Sequence, residues 1–408
     1  MSKVIVIGGG ASGLMAAYAA LKNNNEVILF EKNEKLGKKL YITGKGRCNL
    51  TNDVLPSEFL ENVISNPKFL LGSINTFTPE DTISFFESRH TPLKIERGGR
   101  VFPLSDKASD ITNCLVKEIT KLGCEIHLNE KVKEIIIEKN KVKGVKTDLL
   151  VYNAAHIICS TGGLSYPLTG STGDGYKFAH KTGHKIIEAK PALVGLNIKE
   201  EFVKELQGLS LINIRLTAKK NNKTIAQLFG EMIFTHFGIS GPVVLSLSSK
   251  INRLNLQDTE LFIDLKPALT IEVLDARVLR DFAVLKGKLF KNSLDLLLPK
   301  KLIPIIIQLS GIDEFKRNDQ ITKAERENLV EVIKNLKLHI SSLRPIEEGI
   351  ITAGGVCVNE INPKTMESKL IQGLHFCGEV LDLDALTGGY NIQIAFSTGY
   401  CAGNSIIS

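Results

Sequence analysis

The chain has 408 residues, 43% of them apolar, and carries a net charge of +7 from 51 basic and 44 acidic side chains. At about 150 residues per domain, that length predicts two or three domains, and the ordinary apolar fraction predicts large cores rather than disorder. The basic residues are scattered with few aromatics among them, so no nucleic-acid surface is expected. No apolar run approaches the length of a membrane helix, residues 302–309 being short and interrupted by Pro304.

The chain opens directly on a strand, so no signal peptide is expected. Val4, Ile5, Val6 and Ile7 form an unbroken apolar run, the mark of a strand buried on both faces in a parallel sheet. Gly8, Gly10 and Gly13 follow at the dinucleotide spacing. The first permits a tight turn, the second lets backbone approach a pyrophosphate, and the third lets the next helix close on the strand. Leu14, Ala17 and Leu21 then recur at helical spacing, and that helix aims free N–H groups at the phosphates. Residues 27–31 form a second apolar strand ending on Glu31, placed to accept hydrogen bonds from both ribose hydroxyls of an adenosine. Together these features specify an adenine dinucleotide; the rest of the chain decides between FAD and NAD.

Residues 43–52 are too rich in glycine and small polar groups for helix or strand, and read as a loop suited to run along the dinucleotide. Thr78, Pro79, Glu80 and Asp81 open a helix with a Thr cap. Ser105 is expected to cap a helix whose apolar face is Ala108, Ile111, Leu115, Ile119 and Leu122. Residues 125–128 read as a short strand, 132–138 and 142–147 as a hairpin, and 156–159 as a strand leading into Ser160, Thr161, Gly162 and Gly163. Residues 170–175 are glycine-rich but lack the fingerprint spacing and a long apolar strand before them, so no separate nicotinamide domain is expected. From about Leu193 strand-like runs appear, and helices dominate after Thr270; Thr322 and Glu325 form a capping box ahead of Leu329, Ile333 and Leu336. The expected domains are therefore 1–192 with 344–408, binding the dinucleotide, and an inserted substrate or lid domain over 193–343, β-rich over 193–268 and helical over 269–343.

The C-terminal segment favours FAD. A short strand ends at Cys377, Gly378 and Glu379, bringing Gly378 against the pyrophosphate and Glu379 toward the ribityl hydroxyls. Gly388 and Gly389 let backbone lie flat against a large ring. The helix starting near Asn391 and Ile392 then points its positive end at the edge where reduced flavin carries negative charge.

At these residues the chain resembles the HI0933-like (BaiN/YhiN-type) FAD-dependent oxidoreductases, relatives of the glutathione-reductase-type flavoproteins. The resemblance runs over essentially the whole length. It rests on residues 8–13 and 44–52, on Thr235-His236-Phe237-Gly238-Ile239-Ser240-Gly241-Pro242, and on residues 354–356 and 378–391. It implies an α/β fold: a Rossmann-like FAD-binding domain of glutathione-reductase type, with an inserted domain made of a β-barrel-like part and a helical part. It also implies that Ser12, Glu31, Lys32, Lys38, Lys39, Gly44, Lys45, Gly46, Arg47, Cys48, Val132, Thr161, Gly162, Gly378, Glu379, Asn391 and Ile392 join the fingerprint glycines in lining the FAD, Val132 meeting the adenine through its backbone. Where the wider group carries Asp after the C-terminal glycine, this chain carries Glu379.

The expected function is a cytoplasmic FAD-dependent oxidoreductase. NAD(P)H, docking transiently, supplies electrons, and a hydride passes to a small organic acceptor, or electrons pass to oxygen. His236, Arg100, Cys48 and Tyr390 are candidates on the substrate side, and none is assigned as catalytic. No metal or membrane is expected, and the seven cysteines, with no C-x-x-C pair, read as reduced thiols. The alternatives are a tRNA-modifying flavoprotein using FAD with a folate, which needs an extended basic surface, a non-catalytic flavin-binding protein, and a colourless NAD-dependent dehydrogenase.

Overall fold

A computed structural model describes residues 1–407. The chain forms two compact units, one from Met1–Ala192 together with the stretch after Arg344, the other from Leu193–Arg344. The first begins with β1 (Lys3–Ile7), α1 (Ala11–Lys22) and β2 (Glu26–Glu31), the two strands paired in parallel with Val4 against Val27 and Ile7 against Phe30. After α2 (Lys38–Ile42) and the short β3 (Thr51–Asn52) come α3 (Pro56–Leu60), α4 (Pro67–Thr76) and α5 (Pro79–Glu87). The Thr78 cap expected from the sequence starts α5, and Asp81 returns its bond to complete a reciprocal capping box. β4 (Leu93–Glu96) and β5 (Arg100–Pro103) complete a three-stranded antiparallel sheet with β3. α6 (Ala108–Lys121) differs from expectation at its start. Lys107 is its cap residue, and the Ser105 hydroxyl instead donates to Asp110 and accepts the Lys107 N–H, forming a turn outside the helix. β6 (Glu125–Leu128), the antiparallel trio β7 (Val132–Glu138), β8 (Lys141–Thr147) and β9 (Val151–Asn153), then β10 (His156–Cys159), α7 (Asp174–Lys181) and β11 (Ile186–Ala192) follow.

The second unit is a closed antiparallel barrel with helices. Its elements are β12 (Leu196–Ile198), α8 (Phe202–Glu205), β13 (Ser210–Lys220), β14 (Lys223–Phe234), β15 (Gly238–Ser240), α9 (Pro242–Ile251), β16 (Thr259–Asp264), α10 (Ile271–Val284), α11 (Ile303–Ser310), α12 (Lys323–Lys334) and β17 (Leu336–Leu343). The strands run β12-β15-β14-β13-β16-β17, and β17 returns to pair with β12. Here the structure corrects the reading of 269–343 as helical: α12 stops at Lys334, and Leu336 opens the closing strand. Leu336, Leu338 and Ile340 are buried in alternation, the period of a strand. Pro304 sits in the first turn of α11, where its missing N–H has no intrahelical role.

The chain returns to the first unit with β18 (Ile351–Val356), antiparallel to β11, then β19 (Leu374–Phe376) and α13 (Tyr390–Asn404). The parallel sheet has the order β19-β10-β1-β2-β6, so the first and last strands of the unit lie one strand apart. α13 packs on α1 so closely that a Cβ at Gly399 would overlap the Ser12 backbone and one at Gly403 the Ala16 carbonyl. Both contacts advance by four residues, so the helices run parallel. α13 starts nine residues before Gly399, about 14 Å upstream at 1.5 Å per residue. Among the described residues no helix is long and apolar enough to cross a membrane.

Candidate cofactor site

The chain leaves β1 through Gly8, whose φ of +102° and whose approach to the Ser160 carbonyl, 2.7 Å from a would-be Cβ, admit only glycine. The Gly9 N–H donates to Glu31 Oε2 at 2.9 Å. The next four N–H groups, on Gly10, Ala11, Ser12 and Gly13, have no partner among the described residues, and the first bond of the helix runs from Leu14 N–H to the Gly10 carbonyl. No acidic side chain sits in that turn and no side chain caps it. Four free amides at the positive end of a helix form an anion cradle. Nothing lies within 4 Å of a Cβ built at Gly10, where φ is −83°. Packing therefore makes no demand for glycine there, whereas an approaching pyrophosphate does.

The far end of the chain meets this cradle. A Cβ at Gly378 would stand 2.8 Å from the Ser12 Cβ, and the Gly378 N–H donates to the Thr398 hydroxyl at 3.0 Å. The Glu379 carboxylate accepts from Lys39 Nζ at 2.5 Å, Ser165 Oγ at 2.7 Å and the Thr352 N–H at 2.9 Å, and Lys39 also reaches Ser165. Burial pushes the Glu379 carboxyl up, but the Lys39 charge and these hydrogen bonds outweigh it and hold it below the usual range. Expected from the sequence to face ribityl hydroxyls, Glu379 has three of its acceptor positions committed to protein.

At the end of β2, Glu31 Oε1 accepts from the Asn33 N–H and Nδ2 at 2.9 and 2.6 Å. Val132, buried at the start of β7, lies close by, because the Glu130 N–H donates to the Glu31 carbonyl. Lys32 Nζ donates to Thr172 Oγ1 at 2.6 Å and to Asp174 Oδ2 at 2.8 Å, and Lys131 reaches Asp174 as well. Burial opposes the Asp174 charge, but the two lysines more than compensate, so it titrates below the usual carboxylate range. Thr161 lies between β10 and α7, its hydroxyl 3.8 Å from Cys159 Sγ, and Gly162 turns against Ser171 with φ +73°. The 170–175 loop, set aside on spacing, thus belongs to this cluster. Thr172, Asp174, Ser165 and Thr352 are the polar residues that sequence reasoning missed; the available signal was a Gly-Asp-Gly opening a helix directly after the β10 loop. Replacing Glu31 by Ala frees the Gly9 amide and removes the expected ribose acceptor. FAD binding should weaken by about 1.5–3 kcal/mol in a calorimetric titration, and an unchanged Kd would mean that another residue holds the ribose.

A second set of free amides starts α13. The N–H groups of Gly389, Tyr390, Asn391 and Ile392 have no partner among the described residues; the first helical bond is Gln393 N–H to the Gly389 carbonyl. The Asn391 side chain brackets Ala385, accepting its N–H and donating to its carbonyl, both at 2.9 Å, so only its backbone faces outward from the helix end.

The 43–48 segment is not a plain loop. α2 runs into a 3-10 turn over Thr43–Gly46 with Gly44 and Lys45 both left-handed, Gly46 at φ +85° and Cys48 at φ +58°. Lys45 is exposed. Two cations expected at the cofactor have protein partners: Lys38 pairs with Glu34 at 3.2 Å, and Arg47 pairs with Glu96 and Asp106 while lying over the Phe102 ring. The Cys48 thiol is buried, and burial pushes it up to about 12, so it stays protonated and is no nucleophile. Arg100 Nε is held by the Arg97 carbonyl, and Tyr390 packs edge-on against Phe59 at 5.1 Å. His236 belongs to the second unit, exposed in the tight turn between β14 and β15 that Thr235 and Gly238 close.

The family model described as HI0933-like protein Rossmann domain matches residues 2–405. The 3-dehydro-bile acid delta(4,6)-reductase of Clostridium scindens is 31% identical, the match covering 99% of both chains. The ribosomal RNA dihydrouridine synthase of Haemophilus influenzae is 32% identical, covering 99% of this chain and 98% of that protein. In fold the chain resembles the 3-ketosteroid-delta4-(5alpha)-dehydrogenase of Rhodococcus jostii RHA1, with a TM-score of 0.54, 13% identity and coverage of 99% of this chain and 96% of that one.

Proposed function

The chain belongs to the HI0933-like family and is an FAD-dependent oxidoreductase, and we propose that it uses NAD(P)H to reduce a carbon–carbon double bond conjugated to a carbonyl group. The cofactor reading is carried by the two runs of unpartnered amides, Gly10 to Gly13 and Gly389 to Ile392, on two parallel helices offset by about 14 Å. That offset suits a molecule with a pyrophosphate at one point and a ring bearing negative charge further along. The acceptor class is supported by two of the full-length relatives, whose names both describe reduction of such a bond, in a 3-oxo bile acid and in a uracil ring.

FAD, when bound, supplies the two-electron chemistry. The protein's part is to bind and orient. The α1 amides would take the pyrophosphate and Glu31 and the start of β7 the adenosine, while Lys39, Ser165 and Glu379 tie α2, the loop after β10 and the segment after β19 together. The α13 amides offset negative charge at the ring. The experiment is direct. The purified protein should be yellow, NADH or NADPH should bleach it without oxygen, and a 3-oxo-4-ene steroid should restore the colour while gaining two hydrogens. A protein that no conjugated carbonyl compound reoxidises would sink the acceptor class.

A second reading has specific support. The basic excess is not evenly spread: residues 193–344 hold 23 basic and 17 acidic side chains, the remainder 28 and 27. Together with the ribosomal relative this keeps uridine in RNA among the acceptors, although the scattered-charge reading set nucleic acid aside. Ribosomal RNA from cells lacking the protein, incubated with it and NAD(P)H, should then gain 2 Da at a uridine.

A further inference from the structure

Asn52 ends β3 and is 2% exposed. Its Nδ2 donates to two carbonyls, Gly98 and Gly388, each at 3.0 Å. Those partners settle which atom is nitrogen, because an oxygen in its place would face two acceptors. Its Oδ1 is buried without a partner among the described residues. The β4–β5 turn clamps the same amide, a Cβ at Gly99 falling 3.2 Å from the Asn52 Cγ.

The Gly388 carbonyl shares a peptide plane with the Gly389 N–H, and in a trans peptide the two point in opposite directions. Holding the carbonyl toward Asn52 therefore turns the Gly389 N–H away from it, into the run that continues through Tyr390, Asn391 and Ile392. Gly388 and Gly389 have φ of +133° and +100°, a mobile pair unless something fixes the plane between them. Asn52 is the side chain that does so, and Thr51 backs it, because a Cβ at Gly389 would press on the Thr51 Cα.

We propose that Asn52 is a positioning residue for the cofactor's ring. It sets the direction of the first amides of α13, and through them the stability of the reduced, negatively charged flavin. This rests on the reading that FAD lies along the two amide runs, so FAD binding by the wild-type protein is measured first; a chain that binds none overturns that reading rather than the role of Asn52.

Asn52→Ala removes both donors with the side chain, and Asn52→Leu removes them while keeping most of its volume. Both variants should bind FAD within about threefold of wild type, because the α1 cradle is untouched. The flavin's reduction equilibrium should shift at least tenfold against the reduced form, about 30 mV for a two-electron couple, in both variants. Folded variants with wild-type potentials would overturn the proposal. So would variants that no longer fold, since Asn52 would then be a residue of the fold and not of the ring's environment.

Discussion

Gly10→Val should yield a folded protein that no longer retains FAD. The backbone at Gly10 is extended, with φ −83° and ψ −169°, a conformation a β-branched residue adopts readily. The space around a Cβ there is empty to 4 Å, so the substitution meets no protein atom, and stability without cofactor should change by no more than about 0.5 kcal/mol. The same space is where a pyrophosphate must enter to reach the amides of Gly10 to Gly13. Each amide bond to a charged oxygen contributes roughly 1.5–3 kcal/mol, so losing two of the four weakens FAD binding by about 3–6 kcal/mol, a factor of roughly 10² to 10⁴. Gly10→Ala, with one methyl, should fall between. Far-ultraviolet circular dichroism and fluorescence titration with FAD separate the two effects. Retention of FAD at wild-type affinity would move the phosphates away from α1.

The opening βαβ unit is legible in the sequence because all its information is local. Four apolar residues, a glycine spacing, a helical repeat and a terminal acid fall within one short stretch. The closure of the barrel is not, because Leu336 belongs to two periods at once. It continues Leu329 and Ile333 at helical spacing and begins Leu336, Leu338 and Ile340 at strand spacing, and only pairing with β12 and β16 decides between them. The polar clusters are the least legible part. Lys32 meets Asp174 across 142 residues, and Lys39 meets Glu379 across 340. A motif template applied to 170–175 asks whether the loop is a glycine fingerprint, but Thr172 and Asp174 act as partners of a lysine brought in by β2. Asn391 misleads in the opposite direction: at a helix start it reads as a ligand, yet its carboxamide is spent on Ala385 and its backbone is what remains available.

Between pH 6.5 and 4 the first unit should lose about 3 kcal/mol of stability through His375 alone. His375 is 2% exposed on β19, beside His156 on β10, with 3.3 Å between the facing ring nitrogens. Its Nδ1 lies 3.0 Å from the Thr365 carbonyl and must carry the proton to bond there. Its Nε2 is then an acceptor, filled by the Nδ1–H of His156. A proton added to His375 would go onto Nε2 and set two N–H groups against each other inside the sheet. Burial, with that neighbour, pushes His375 down to about 4, against the favourable pull of the Thr365 carbonyl and Glu367. Because the folded value lies below the unfolded one, the folded state binds fewer protons, and the stability it contributes is present in full above pH 6.5 and is lost as pH falls toward 4. Burial lowers His156 and His184 as well, which adds loss in the same direction, while His127, raised against its burial by Glu125 and Glu130, gains stability on acidification and offsets part of that addition. The carboxylates held low, Asp174 and Glu379 among them, keep their contribution in full down to the ordinary carboxylate range and lose it only as pH falls further, so the interval from pH 6.5 to 5 reports the histidines. Urea unfolding at pH 7.5 and pH 5, followed by release of FAD as the marker for this unit, should show about 2 kcal/mol less stability at the lower pH. His375→Asn keeps a donor for Thr365 and has nothing to titrate; most of that difference should vanish. A wild-type protein equally stable at both values would mean that the histidine pair is hydrated and open, and the parallel sheet looser at β10 and β19 than its burial shows.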